Sequence, residues 1–357
     1  MSKNVLRRPP TLEVSQRERL RLLRGQEWGW LFAGAAVLLV WPFLVNSFWL
    51  HLTNLALVAV VGAVGLNLLS GNARLVSLGQ AAFLAVGGFT AGIVGGQLSL
   101  PLWVSLAASL VTGAITGLLV GIPSLRLKAI YVAITTLALH YGVTTVVSIY
   151  QAETVKAAGI IMPVPALFSV KFAEPRPWFY LLVLIAAVAV LVALNLQRSY
   201  IGRRWIAVAD HEIAARSAGI NVSAAKLSAF VISSAIVSLA GALGAYYEGV
   251  LTAETYDIQL AIAYLAMIIV GGIGSVLGSI LGAVLLTFLP YLVDSFMKGL
   301  GVTLSGGSVN GLHSIIYGAL ILLFLLFEPL GLAAIWYRIR NTAMLWPLKY
   351  TPLETKR

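Results

Sequence analysis

Residues 177–196 read PWFYLLVLIAAVAVLVALNL, twenty positions without one charged side chain. A helix of that length is about 30 Å long, the thickness of a bilayer's hydrocarbon core. Working outward from it, the same kind of run recurs at 28–47, 52–70, 77–97, 101–122, 129–150, 226–247, 258–272, 276–293 and 311–331. The spacing predicts an all-α polytopic membrane protein of about ten transmembrane helices. The eighth and ninth runs are separated only by Gly271-Gly272-Ile273-Gly274-Ser275, a glycine-rich turn that predicts a helix break inside an otherwise apolar stretch.

Composition agrees with the runs. Of 357 residues 59% are hydrophobic and 10% charged, against roughly 25% charge in soluble chains. No stretch is polar and long enough for a second folded domain, so the organisation is a basic tail (1–27), a membrane domain (28–331) carrying one polar loop (197–225), and a C-terminal tail (332–357). The chain has no cysteine, which removes disulfides, thiolate metal sites and thiol nucleophiles.

The net charge of +11 is compatible with nucleic acid until its distribution is read. With the N-terminus inside and sides alternating, one face collects 20 of the 24 Lys and Arg residues. The other keeps Lys156, Lys171, Arg176 and Lys298 beside Glu153, Glu174, Glu248, Glu254, Asp257 and Asp294. This is the positive-inside pattern, with both termini cytoplasmic. It excludes the nucleic-acid reading. Thr11 to Glu27, with Arg17, Arg19, Arg21 and Arg24 among leucines, reads as an orienting basic flank or as an interfacial helix. A cleaved signal peptide does not fit, because no small-residue cleavage site follows a short apolar core.

Inside the spans charge is almost absent, with Lys226 at the first position of one run and Glu328 near the end of another, and only His140 among the histidines lies in the body of a span. A proton-coupled carrier usually strings Asp, Glu or His along its path, so an ion-coupled secondary transporter is the weaker alternative. Catalytic clusters are absent, as is any Gly-x-x-x-x-Gly-Lys-Ser/Thr phosphate loop. No catalytic residue, metal ligand or bound cofactor is expected on this chain. Ser77, Gln80, Tyr131, Thr136 and His140 are the candidates for a polar path, with packing as the competing role. The many glycines at three- to four-residue spacing read mainly as close helix packing.

The loop from Gln197 to Val222 is polar, yet Ile206, Val208, Ala209, Ile213 and Ala214 keep helical spacing. It predicts a short cytoplasmic helix ending at Gly219, with Asn221 and Ser223 available to cap the next one.

At these residues the chain resembles the permeases of the high-affinity branched-chain amino acid ABC uptake family, which also includes urea and short-amide importers. The resemblance runs from about Asn54 to Leu332. It rests on Leu75 to Phe83, Leu125 to Tyr131 with Thr136-Leu137-Ala138, Gly202 to Phe230, Gly271 to Ser275, and Glu328-Pro329-Leu330-Gly331-Leu332. It implies a subunit of the bacterial inner membrane working by alternating access. The expected partners are a homologous second permease, two ATP-binding subunits holding ATP and Mg, and a periplasmic solute-binding protein, with lipid around them. The implied cargo is branched-chain amino acids or related small solutes, the same machinery also serving urea, short amides or small carboxylates.

In that family the loop before the seventh span inserts into the ATPase. Ala214, Ala215 and Gly219 fit its two-alanine-then-glycine spacing, Glu212 stands one residue out of register, and Asp210 opens the helix. The chain departs from the family at Gln80, where His follows Ser-Leu-Gly, and at Lys156-Ala157-Ala158-Gly159, where Thr-Gly-Gly is common. An amide in place of the imidazole keeps hydrogen bonding and loses any protonation role.

Overall fold

The computed structural model describes residues 40–125, 129–154, 159–167, 170–299, 315, 318–319, 322, 331–336 and 338. The basic tail, most of the first and tenth predicted spans, Glu328, Lys156 to Ala158 and the end of the C-terminal tail lie outside them. Residues 1–50 and 51–357 form two compact units. In the first, 40–44 are helical and helix resumes at Ser47.

The described chain is helical almost throughout. Helix α1 (Ser47–Asn67) runs on into a π-helical turn, Leu68–Asn72. Then come α2 (Gln80–Ala91) with a π-helical tail Gly92–Gln97, α3 (Leu102–Ser124), α4 (Ala129–Thr154), α5 (Pro175–Arg198), α6 (Tyr200–Asp210), α7 (Glu212–Ser217) and α8 (Val222–Glu248). Last are α9 (Ile258–Gly271) and α10 (Val276–Gly299). At the Pro175 end of α5, two short antiparallel ladders form. In one, β1 (Ile160–Ile161) pairs with β4 (Val250–Leu251) in the register Ile160 to Leu251; in the other, β2 (Ala166–Leu167) pairs with β3 (Val170–Lys171).

Six helices among the described residues are long and apolar enough to cross a membrane: Ser47–Asn72, Leu102–Ser124, Tyr131–Thr154, Pro175–Arg198, Val222–Glu248 and Val276–Val293. Two predicted spans take a different form. The run 77–97 is a 12-residue α-helix followed by a 6-residue π-helical segment. The run 258–272 is a 14-residue helix, about 21 Å long and short of the hydrocarbon thickness.

Close approach builds the centre, where α8 packs most extensively on α3 and α2. Gly113 and Gly117 of α3 lie where an added Cβ would run into Ser238 and Ser234 of α8, and Gly87 of α2 abuts the Ser238 carbonyl. The serines then bond across the helices: Ser238 Oγ donates to Phe83 O at 2.8 Å, Ser233 Oγ to Gly65 O at 2.7 Å, and Ser109 Oγ to Gly87 O at 2.9 Å. Between apolar helices in lipid, such small-residue contacts and hydroxyl bonds replace the hydrophobic drive available in water.

Candidate functional site

The polar loop folds into two helices at the end of the bundle where α5 finishes and α8 begins. Ser199 Oγ accepts from Gly202 N to start α6, whose Trp205 is 1% exposed and donates from Nε1 to Ser228 Oγ of α8 at 2.9 Å. Helix α6 stops at Asp210, and His211, with extended backbone, turns the chain into α7. Gly219 takes φ +80, and its N–H donates to Arg216 O while Ile220 N–H donates to Ala215 O, both at 3.0 Å. That pair of bonds is a Schellman motif, which needs a left-handed residue at Gly219. Asn221 Oδ1 then accepts from Ala224 N at 3.0 Å and caps α8. Asn221, and not Ser223, is the cap.

The elbow is also tied by charge. Glu212, in the first turn of α7, receives Lys226 Nζ at 2.8 Å and Arg216 at 3.5 Å. Asp210 sits at the C-terminal end of α6, where the helix dipole disfavours a carboxylate, and Arg74 Nη1 meets it at 2.8 Å. Ala215 is buried, whereas Ile213 is 85% exposed beside exposed Ala214 and Arg216. A rigid two-helix elbow thus offers a small apolar knob flanked by charge. Of the sequence-predicted group, Glu212, Ala214 and Ala215 lie in α7, Gly219 is the left-handed residue just after its C-cap Ala218, and Asp210 belongs to α6.

Arg74 leads to the second group. It has φ +51, a left-handed conformation unfavourable for a non-glycine residue, in the loop joining the π-helical end of α1 to α2. Asn72, just before it, accepts from Gln197 Nε2 at 3.1 Å. Ser77, Gln80 and Thr136 meet where this loop enters α2: Leu78 N–H donates to Thr136 Oγ1 at 3.0 Å, Gly79 N–H to Ser77 Oγ at 3.3 Å, and Gln80 Nε2 to Gly62 O at 3.1 Å. All three are fully buried, as is His140 one turn along α4 from Thr136. Thr136 of α4 thus meets the entry to α2, whereas the Gln80 side chain is turned to α1. Tyr131, 52% exposed, is on the opposite side of α4.

The predicted glycine break is present. Helix α9 ends at Gly271, Gly272 and Gly274 take φ +118 and +84, and α10 starts at Val276. Gly271 and Gly278 leave no room for a Cβ on either side, which closes α9 against α10. Asn67 Oδ1 of α1 accepts from Gly274 N at 2.8 Å and holds the turn. Sequence reasoning missed Arg74, Gln197, Trp205 and Lys226, whose roles depend on partners 14 or more positions away. Only Trp205, a tryptophan at helical spacing within a polar loop, carried a local signal.

Residues 48–325 match the family model of the branched-chain amino acid transport system permease component. The chain belongs to this permease family. Among relatives, the high-affinity branched-chain amino acid transport system permease proteins LivM of Salmonella typhimurium and Escherichia coli are each 29% identical over 330 residues, covering 85% of this chain and 74% of theirs. The autoinducer 2 import system permease protein LsrC of Yersinia enterocolitica is 30% identical over 170 residues, covering 46% of this chain and 45% of its own. No solved structure matches. This permease is accordingly a multi-pass protein of the bacterial inner membrane. Among its described residues no group of three or more His, Asp or Glu side chains is placed to hold a metal ion.

Proposed function

We propose that this permease forms one half of the transmembrane pathway of an ABC importer for branched-chain amino acids or similar small solutes that are neutral overall. Separate ATP-binding subunits dock on α7, a homologous permease completes the pathway, and a periplasmic solute-binding protein delivers cargo at the other end of the bundle. Both termini and the elbow then face the cytoplasm. The observation that carries the reading is the elbow itself. Its Schellman turn, Asn221 cap and Lys226–Glu212 contact hold it rigid while Ile213 stays exposed, the form a lever takes when it transmits motion from another chain.

The cargo class rests on two supports: the match to the LivM permeases over most of the chain, and the absence of any charged residue between Ala129 and Gln151 of α4. The autoinducer 2 relatives, which match about half of the chain, favour a second reading in which the same machinery carries a different small polar solute. Reconstitution into liposomes with and without the ATPase subunits tests the importer reading. Leucine and valine uptake should require ATP and both permeases; uptake that persists without the ATPase would sink it. Ala215→Pro should abolish ATPase co-purification with membrane insertion intact, and recovery at wild-type yield would remove α7 as the docking element.

A further inference from the structure

Of the six candidate spans, Tyr131–Thr154 in α4 is the least apolar and the least covered, with 22% of its apolar window buried against the chain. Its inward side is a regular stripe of buried Val132, Thr136, His140, Val147 and Gln151. Its outward side is less uniformly apolar than those of its neighbours. Helix α3 exposes Val111, Ile115, Leu118, Leu119 and Ile122, and α5 exposes Leu184, Val188, Leu191 and Val192, apolar side chains suited to lipid. Helix α4 exposes Tyr131, Tyr141, Thr145 and Ser148 among apolar Ile134, Val146 and Ile149.

Tyrosine at a helix end belongs to the interfacial aromatic belt, which accounts for Tyr131. It does not account for Tyr141. With 12 residues of α4 before it and 13 after it, Tyr141 stands about 18 Å from either end, at mid-membrane depth, and 57% exposed. Thr145 satisfies its hydroxyl on Tyr141 O at 2.7 Å. The hydroxyls of Tyr141 and Ser148 make no hydrogen bond among the described residues. Facing hydrocarbon they would forfeit the bonds that water gives them. Gly142 beside them has open space where its Cβ would be, a small indentation on this face.

We propose that the outward face of α4, centred on Tyr141, Thr145 and Ser148, lines the solute path. The buried Ser77, Gln80, Thr136 and His140 are then packing that supports it. The proposal rests on the transport reading above and deepens it: three hydroxyls without charge, set among exposed Ile134, Val146 and Ile149, take a small solute of no net charge that offers both hydrogen-bonding groups and apolar surface.

The absence of native cysteine makes a direct test available. Single substitutions Tyr141→Cys, Thr145→Cys and Ser148→Cys, with Leu119→Cys and Val188→Cys as lipid-side references, are made in the assembled transporter in membrane vesicles. They are then treated with a charged, water-borne methanethiosulfonate. Water on the α4 face gives labelling there at least about tenfold faster than at Leu119 and Val188, where a buried-in-lipid thiol is not ionised and not reached. Equal, slow labelling at all five positions overturns the proposal in favour of lipid. Slow labelling combined with efficient cross-linking of the α4 cysteines to the second permease overturns it in favour of a subunit interface. Labelling is read without transport, so fast labelling of the α4 cysteines in a complex whose wild-type form fails to import refutes the importer reading alone. Tyr141→Phe, which keeps the ring and removes the hydroxyl, should raise KM for leucine about threefold or more with expression unchanged; an unaltered KM removes the hydroxyl from solute contact.

Discussion

Gly219→Ala isolates the contribution of the left-handed turn that ends α7. Gly219 has φ +80 and nothing within 4 Å of the position a Cβ would take. The substitution therefore meets no steric obstacle, and its whole cost is the backbone preference of an L-residue, about 1–2 kcal/mol. That penalty opposes the Schellman bonds Ile220 N to Ala215 O and Gly219 N to Arg216 O. Docking needs α7 in its fixed orientation, so a fall in the competent fraction raises the apparent Kd in proportion. A 1–2 kcal/mol penalty corresponds to about 5- to 30-fold weaker binding. Asparagine tolerates the left-handed region and finds the same open space, so Gly219→Asn should recover most of the affinity. The assay is equilibrium binding of the purified ATPase subunit to the permease in lipid nanodiscs. Wild-type affinity for Gly219→Ala, or an Asn variant as weak as the Ala variant, would refute the claim that this turn orients the docking helix.

Three further outcomes follow from the packing. Gly87→Ala should sharply cut the yield of folded protein on fluorescence-detected size exclusion, because its Cβ runs into the Ser238 backbone carbonyl; Gly142→Ala, with open space around it, should leave the yield intact. Trp205→Phe keeps the buried ring and loses the bond to Ser228, lowering stability by about 1 kcal/mol, whereas Trp205→Ala should cost about 3–5 kcal/mol in denaturation of the nanodisc-embedded protein. Arg74→Glu and Asp210→Arg should each cost less than about 1 kcal/mol, since the pair is 63% and 51% exposed, and the swapped double variant should recover the loss. Failure of the swap to recover would show that the residues act separately.

Much of the candidate site was legible in the sequence, and for local reasons. Gly219 and Asn221 are turn and cap residues whose chemistry acts within a few positions, so the end of α7 and the start of α8 could be read off directly. The Gly271 to Gly274 break was equally local. The split of the polar loop at His211 was not, because Asp210 and Glu212 are each compatible with one continuous helix until Arg74 and Lys226 draw them in different directions. The polar-path residues show the same limit. Tyr131, Thr136 and His140 all sit in one apolar run, and a sequence without strong amphipathic contrast does not say which side of α4 faces inward.

The membrane class, the apolar runs and the absence of charge along them were determined by the sequence alone, because hydrocarbon thickness and the cost of burying charge act on each segment by itself. Only the tertiary structure decided that 80–97 is a central helix relaxing into a π-helical tail and that 258–271 is a short one closed against α10. Only there do Asn72 and Arg74 meet α5 and α6 across more than a hundred residues. The close packing of α8 on α2 and α3 arises from glycines and serines that let backbones touch. Those residues are nearly silent in hydropathy, so their partners become visible only when the helices are packed.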